Sequence, residues 1–216
     1  IDEQKIVEYG QAAKEMFGRV PDSFEISNPL QHGVIADYEV TMRLLEYLIK
    51  KVTGPVRLFH PRVIVTIPYG VTSVEIRAVQ EAVLEAGARE VFLIPQPLAA
   101  AIGIDLPINT PTVNMILNLG GGASQAAVLA LYGIVSAGTL RKGGADLDEA
   151  ISTYVRRKYG LVIAQPTAER IKLEIGAAVP MDEETGIEVQ GQDQVTGLPQ
   201  PLTLTTGVMV EALREP

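Results

Sequence analysis

Three stretches decide the fold: VIVTI at residues 63–67, TSVE at residues 72–75 and VFLI at residues 91–94. The two apolar runs are typical of buried strands. Thr72, followed three residues later by Glu75, forms the capping-box pattern of a helix start. A strand, a helix and a second strand of these lengths predict a parallel pair joined by a helical crossover.

Downstream of this unit the pattern changes to short strands joined by glycine turns. A short alanine-rich helix begins at Gln96-Pro97, and an antiparallel meander follows, with strands predicted at Val113–Leu119, Gln125–Tyr132 and Ile134–Leu140. Gly120–Gly122 and Gly133 are expected at its bends. Further on, helices at about 146–159 and 167–177 are predicted to begin at the caps Asp146 and Thr167, and one or two strands lie between residues 187 and 205.

Upstream, helical periodicity dominates. One helix face carries Val40, Leu44, Leu45, Leu48 and Ile49. Residues 3–18 also have roughly helical spacing, with Gly18 as the expected end. The break at Thr110-Pro111 predicts a boundary between residues 1–112 and 113–216.

Composition excludes several classes of function. The net charge of −8, without a basic run, argues against nonspecific binding of nucleic acid. The absence of cysteine excludes disulfides and thiolate metal sites, and two histidines are too few for a His-rich metal site. No apolar run reaches the roughly 18 residues that span a bilayer, and no secretory signal opens the chain. Because the first residue is Ile1, we expect the natural start to lie further upstream.

A run of glycines between two predicted strands is the first candidate site. Asn118-Leu119-Gly120-Gly121-Gly122-Ala123-Ser124 can bring backbone N–H groups close to phosphate oxygens. The same glycines also suit a tight hairpin that requires positive φ. The run is neither a Walker loop, which needs a following Gly-Lys-Ser/Thr, nor a dinucleotide fingerprint, which leads into a helix.

Three further segments have both a functional and an ordinary interpretation. Gly143-Gly144 precedes a helix, whose free N–H groups bind anions, and is equally an ordinary capped loop. Gln96 follows a parallel strand, where open α/β sheets bind ligands, or it simply caps a helix. Glu169-Arg170-Ile171-Lys172 carries charges that often pair in solvent on a helix face.

One loop raises the question of membrane contact. Leu58 and Phe59 lie between prolines and near Arg57, Lys50 and Lys51. They are core residues or an apolar tip that inserts into anionic lipid.

Together and in this order, the motifs resemble the rod-shape-determining MreB family of bacterial actins. The resemblance covers essentially the whole chain. The segments that carry it are Pro29–Asp37, Val63–Thr72, Glu85–Val91, Pro97–Gly103, Asp148–Ile151, Arg156–Tyr159, Ile171–Gly176 and Val195–Pro199.

The resemblance implies an α/β, actin-like (ribonuclease H-like duplicated) ATPase fold that is incomplete at both termini, with ATP and Mg²⁺ in a cleft. The first half would be residues 1–112, with an outer subdomain at about 1–30 and an inner one at about 31–112. The second half would be residues 113–216, with the meander and phosphate loop at about 113–145 and an outer subdomain at about 146–216.

The family's site residues map onto positions in this chain. The implied nucleotide-binding residues are Asn118, Gly120, Gly121, Gly122, Ala123, Ser124, Gly144, Glu169, Arg170, Ile171 and Lys172. Gln96 falls where the family carries a glutamate that positions the attacking water. Asn118 falls where an aspartate holds Mg²⁺, directly or through water. Leu58 and Phe59 fall where some members insert a loop into membrane.

This chain departs from the family pattern at three positions that bear on ATP hydrolysis. The family has aspartate, threonine and glutamate at the positions of Asn118, Ala123 and Gln96. A neutral amide is a poorer Mg²⁺ partner than a carboxylate, and an amide cannot accept a proton from water. The family's first phosphate loop and its later Gly-Gly-Gly loop are expected before Ile1 and after Pro216. Whether the chain is an enzyme therefore stays open.

The implied function is that of a cytoskeletal protein that forms nucleotide-dependent filaments directing rod shape and wall synthesis. Its expected partners are other copies of itself, the inner face of the cytoplasmic membrane and cell-wall elongation proteins, but not nucleic acid; the expected location is cytoplasmic and membrane-associated. The alternatives are a degenerate paralogue that co-assembles with little hydrolysis, and a sugar kinase or heat-shock-type ATPase of the same superfold.

Overall fold

The computed structural model describes residues 6–17, 21, 23–54 and 60–215. The helices are α1 (Gln11–Glu15), α2 (Tyr38–Thr53), α3 (Ser73–Glu85), α4 (Gln96–Gly103), α5 (Gly144–Tyr159), α6 (Gln165–Ile175) and α7 (Thr206–Ala212). The strands are β1 (Leu30–Gln31), β2 (Val34–Ile35), β3 (Arg62–Ile67), β4 (Glu90–Pro95), β5 (Asn114–Leu119), β6 (Ser124–Ala130), β7 (Gly133–Leu140), β8 (Leu161–Val162), β9 (Gly186–Asp193) and β10 (Pro199–Thr205).

These elements fall into two compact units, the first within Ile1–Tyr9 and Ser27–Arg141 and the second within Gly10–Ile26 and Lys142–Pro216. The first unit keeps the parallel pair and the meander together. The predicted halves at residues 1–112 and 113–216 describe a duplication of the fold, whereas these two units are groups of residues in mutual contact. The duplication stays a prediction.

The parallel pair is confirmed. β3 and β4 pair in parallel register, and α3 connects them. The Thr72 hydroxyl accepts the N–H of Glu75 at 3.2 Å, and Glu75 Oε2 accepts the N–H of Thr72 at 2.7 Å. The two bonds satisfy donors that a helix start leaves free, which fixes where α3 begins.

The meander is also confirmed, but its second bend differs from the prediction. Ala130 pairs with Gly133, so Leu131 and Tyr132 form the turn, with φ of 51° and 60°. Their N–H groups donate to the carbonyls of Thr110 (3.2 Å) and Ile108 (2.8 Å). These bonds stabilise a left-handed turn in which glycine was expected.

The core of the first unit lies between α4 and the meander. One face of the meander packs on α4 through Ala101, Ile108, Ile116, Ala127 and Leu129, all buried. The register therefore places the glycine loop at the end of a sheet whose inner face is fixed.

The second unit packs α5, α6 and α7 on the antiparallel sheet β10-β9-β8. Its core includes Ile151, Val155, Ile171, Leu204 and Met209. The hairpin of β9 and β10 confirms the strands expected between residues 187 and 205.

Two helix starts were predicted wrongly. α5 begins at Gly144, and Asp146 accepts the N–H of Gly143 at 2.7 Å from inside the first turn. α6 begins two residues before the predicted cap Thr167, because a proline suits the first turn of a helix. The helix predicted over residues 3–18 is shorter, because in residues 6–17 only Gln11–Glu15 is helical, and its predicted end at Gly18 lies outside the described residues. Within the part of the chain that the structure describes, no helix has both the length and the apolar character needed to cross a membrane.

Candidate functional site

The glycine run forms the connection between β5 and β6. The Gly120 N–H donates to the Ala123 carbonyl at 2.9 Å, which closes a tight loop. A Cβ on Gly120 would lie 2.9 Å from that oxygen, whereas a Cβ on Gly121 would meet nothing within 4 Å. None of the three glycines has the positive φ expected of the hairpin interpretation. Close backbone approach, not a left-handed conformation, is what requires glycine here.

The loop rests against a second turn that the sequence did not reveal. His32 and Gly33 form the turn between β1 and β2, with φ of 48° and 80°. A Cβ on Gly122 would lie 2.9 Å from the backbone nitrogen of His32 and 3.0 Å from that of Gly33. The backbone of one turn therefore fixes the position of the other.

The side chains that flank the glycines have different environments. Ala123 is buried, with 5% of its surface exposed. Asn118 is half-buried and lies opposite Gln125 in the β5–β6 ladder, and Ser124 lies opposite Leu119. The position of Ala123 leaves little room for the threonine of the family pattern.

A buried amide connects Gln96 to the loop after β3. Gln125 is 1% exposed. Its Oε1 accepts the N–H of Tyr69 at 2.7 Å, and its Nε2 donates to Oε1 of Gln96. Thr139, opposite Gln125 in the β6–β7 ladder, donates to the carbonyl of Tyr69 at 2.7 Å. The sequence interpretation missed Gln125; its phase with Ala127 and Leu129 was the available signal, since alternate residues share a sheet face.

A cavity of about 270 Å³ opens beside this network in the first unit. It is lined by His32, Val34, Pro68, Tyr69, Gly70, Val71, Ala137, Thr139 and Arg141. Arg141 Nη2 lies 2.8 Å from Glu75 Oε1, so its charge is paired. The N–H of Thr72, chiefly, together with Arg141, lowers the pKa of Glu75.

In the second unit, Lys172 binds the start of α5. Its Nζ lies 2.7 Å from Asp148 Oδ1 and donates to the Gly144 carbonyl at 2.8 Å. Asp148 is 5% exposed, and its Oδ1 receives no well-directed hydrogen bond, so the contact is primarily an ion pair. Burial raises the pKa of Asp148, and Lys172 opposes that rise. Two of the predicted nucleotide-binding residues, Gly144 and Lys172, therefore contact each other.

The other three predicted nucleotide-binding residues of α6, Glu169, Arg170 and Ile171, have different surroundings. Glu169 forms an ion pair with Lys14 of α1. Arg170 is exposed, lies 4.0 Å from Glu174, and lines a cleft of about 660 Å³ with Pro166, Thr167, Glu188, Val189 and Gln190. Ile171 has 0% of its surface exposed and packs in the core of the second unit.

Leu58 and Phe59 lie outside the described residues. Within the described ranges, no group of three or more His, Cys, Asp or Glu side chains is placed to hold a metal ion. The side chains of the glycine loop offer Mg²⁺ the amide of Asn118 and the hydroxyl of Ser124, but no carboxylate, which is the ligand that a hard cation favours. The loop does fit a phosphate group, because the space beside Gly121 is open and its backbone is accessible.

Comparison with solved structures gives the fold. The chain is similar to MreB5 of Spiroplasma citri bound to AMPPNP, with a TM-score of 0.85 and 29% identity over 97% of this chain and 63% of that one. The ADP-bound structure of the same protein gives 0.84. A chain of the MamK double helical filament gives 0.69 at 21% identity, a likeness of fold alone. The fold is the α/β fold of actin-like proteins.

Comparison of sequences gives the family. Residues 1–216 match the MreB/Mbl protein family. The chain is 46% identical over 214 residues to the cell shape-determining protein MreB of Escherichia coli (strain K12), and 36% identical over 211 residues to Mbl of Bacillus subtilis (strain 168). These alignments cover 99% and 98% of this chain but 62% and 63% of the relatives, so the chain spans less than two thirds of their length. The chain belongs to the MreB/Mbl family.

Proposed function

We propose that this chain contributes to a nucleotide-binding site through the backbone of Gly120–Gly122. The observation that carries the proposal is the open space at Gly121, between two glycines whose backbones are closely packed. MreB5 of Spiroplasma citri was solved with AMPPNP and with ADP, which supports an adenine nucleotide as the ligand. Gly144 and the stretch Glu169–Lys172 remain proposed contributors.

We further propose that the protein forms nucleotide-dependent filaments at the inner face of the cytoplasmic membrane, in contact with cell-wall elongation proteins. The MreB and Mbl relatives are named for determining cell shape, and the MamK chain comes from a filament. Leu58 and Phe59 are the proposed lipid contacts.

The test is sedimentation of the full-length protein with ATP, with ADP and without nucleotide, each in the presence and absence of anionic liposomes. We expect filaments to pellet with ATP, and more so with lipid. Soluble protein under every condition would reject the proposal. Replacing Leu58 and Phe59 by Ser should abolish only the contribution of lipid, and unchanged liposome binding would reject their role.

A second candidate function is that of a paralogue that co-assembles while hydrolysing little ATP. Asn118, Ala123 and Gln96 favour it, because none of them supplies the family's carboxylate or hydroxyl. The test is Asn118→Asp with Ala123→Thr in the full-length protein, which should raise turnover. Because Ala123 is buried, Asn118→Asp alone and Ala123→Ser are needed beside it to separate Mg²⁺ binding from crowding. Unchanged turnover in all these variants would reject a damaged Mg²⁺ site as the cause.

A further inference from the structure

Gln125 is a polar side chain in an almost fully buried position, and all of its partners belong to the first unit. With 1% of its surface exposed, it cannot use bulk water as a hydrogen-bond partner. Its oxygen and its nitrogen both have partners, the N–H of Tyr69 and Oε1 of Gln96. Leaving a buried amide group without a partner is costly, so these two contacts constrain the orientation of Gln125.

The Tyr69 contact determines which end of the amide is oxygen. A backbone N–H can only donate, so the atom 2.7 Å from it must be the acceptor, Oε1. An exchange of oxygen and nitrogen, often ambiguous for glutamine, would set two donors against each other here. The Gln125 nitrogen therefore faces Gln96 and donates to it.

The same logic extends to Gln96. Because Gln125 donates, the atom of Gln96 that faces it must be the oxygen. The nitrogen of Gln96, which carries two protons, is then turned away from Gln125. Gln96 is only half-buried, so this donor end remains available to a ligand.

We infer that Gln125 is a positioning residue that holds the Gln96 amide with its donor end toward the ligand side, through a chain of hydrogen bonds that begins at the Tyr69 N–H. The inference rests on the proposed nucleotide site. An outward N–H₂ group binds a phosphate oxygen or a lone pair of water. It cannot accept a proton from an attacking water, so this chain favours holding a nucleotide over hydrolysing it.

The orientation can be reversed by a single substitution. In Gln125→Glu one carboxylate oxygen still accepts the Tyr69 N–H, and the other accepts from Gln96, whose amide must turn its nitrogen inward and its oxygen outward. In Gln96→Glu the Gln125 nitrogen keeps an acceptor, and a second carboxylate oxygen faces outward. Combining the two substitutions sets two carboxylates against each other, which disfavours the arrangement.

The first measurement is the side-chain amide spectrum of the ¹⁵N-labelled full-length chain without nucleotide. In the wild type we expect the Gln125 N–H₂ protons to exchange slowly and those of Gln96 to exchange fast. In Gln125→Glu the Gln96 N–H₂ protons should become the slowly exchanging pair. Gln96→Glu leaves the buried residue Gln125 unchanged, so the Gln125 N–H₂ protons should still exchange slowly. Fast exchange of the Gln125 protons in the wild type, or an unchanged Gln96 pair in Gln125→Glu, would overturn the inference.

The second measurement is ATP turnover by the same variants. Gln96→Glu places a carboxylate outward and should raise turnover by about a hundredfold, the lower end of the range for a general base. Gln125→Glu turns only an amide oxygen outward, which cannot accept the proton of water, so its turnover should stay near that of the wild type. The double variant should lose the gain of Gln96→Glu. Gln200→Glu, the same exchange at an exposed position of β10, is the matched control and should leave turnover unchanged. A double variant that keeps the full gain of Gln96→Glu would contradict the hydrogen-bonded coupling of the two residues. Absence of nucleotide binding in every variant would reject the proposed function, while the amide spectra would still decide the orientation of Gln96.

Discussion

Lys172 Nζ lies 2.7 Å from Asp148 Oδ1 and joins α6 to the N-terminal part of α5. Only 18% of the Lys172 side chain and 7% of the Asp148 side chain are exposed. The same ammonium donates to the Gly144 carbonyl at 2.8 Å. One cation therefore fixes the glycine turn that opens α5.

Asp148→Ala should lower the free energy of unfolding by about 3 kcal/mol, because it leaves the Lys172 charge largely buried without its partner. Urea denaturation of the full-length protein measures the change. The matched control is Glu174→Ala, since the Arg170–Glu174 pair is exposed and 4.0 Å long, and its loss should cost at most about 0.5 kcal/mol. Equal effects of the two substitutions would contradict a buried ion pair.

Gly122→Ala should lower the stability of the protein, whereas Gly121→Ala should lower its affinity for nucleotide. A methyl group on Gly122 would press on the backbone nitrogens of His32 and Gly33, so we expect a loss of about 1–3 kcal/mol of stability. A methyl group on Gly121 has free space and should leave stability within about 0.5 kcal/mol. It would nevertheless occupy the proposed phosphate position, so the affinity for a fluorescent ATP analogue should fall by about tenfold, or about 1.4 kcal/mol. Unchanged affinity in Gly121→Ala would place the phosphate elsewhere.

Glu75 should make the stability of the first unit depend on acid pH. The N–H of Thr72 and the charge of Arg141 lower its pKa from the ordinary value of 4.5. A lowered pKa means that the unfolded chain binds the proton more readily, so this contribution is present above pH 4.5 and is lost as the pH falls through the lowered pKa. Urea unfolding between pH 7 and pH 3 should show a shallower pH dependence in Glu75→Gln than in the wild type. Parallel curves for the two proteins would contradict this prediction.

The turn of Leu131 and Tyr132 should be open to stabilisation. Both residues have positive φ, which is unfavourable for large side chains, and both are about two-thirds exposed. Replacing them by Asn-Gly retains the N–H donors to Ile108 and Thr110 and suits a two-residue turn, so stability should rise by about 1–2 kcal/mol. Leu131→Ala is the control, because alanine keeps the unfavourable backbone and should give no such gain. A similar rise in both proteins, measured by urea denaturation, would rule out backbone strain as the cause.

The sequence predicted what is local. The capping box at Thr72 and Glu75 and the period-2 strands specify α3 and the meander through neighbouring residues alone. The turn at Leu131 and Tyr132 was missed, because carbonyls more than 20 residues upstream stabilise it. Glycine was expected to mark the bend, but tertiary hydrogen bonds overrode that preference.

The candidate site was predicted only in part, for a similar reason. The glycine run itself indicated the loop, but the contact of Gly122 with His32 joins segments about 90 residues apart. Gln125 was overlooked because a glutamine among alanines gives no signal until its strand phase is considered. Ile171 lies on the apolar face of α6 and is therefore buried. The charged residues next to it in the sequence hid this apolar periodicity.

Tyr69 shows what these long-range contacts do to a loop. It follows β3 in an irregular segment, yet its N–H is bound to the buried Gln125 and its carbonyl to Thr139. Backbone amides in surface loops usually exchange rapidly with solvent deuterium. We expect the Tyr69 N–H to exchange only when the meander separates from the loop after β3. The rate of deuterium uptake at Tyr69 would therefore report how often the first unit opens.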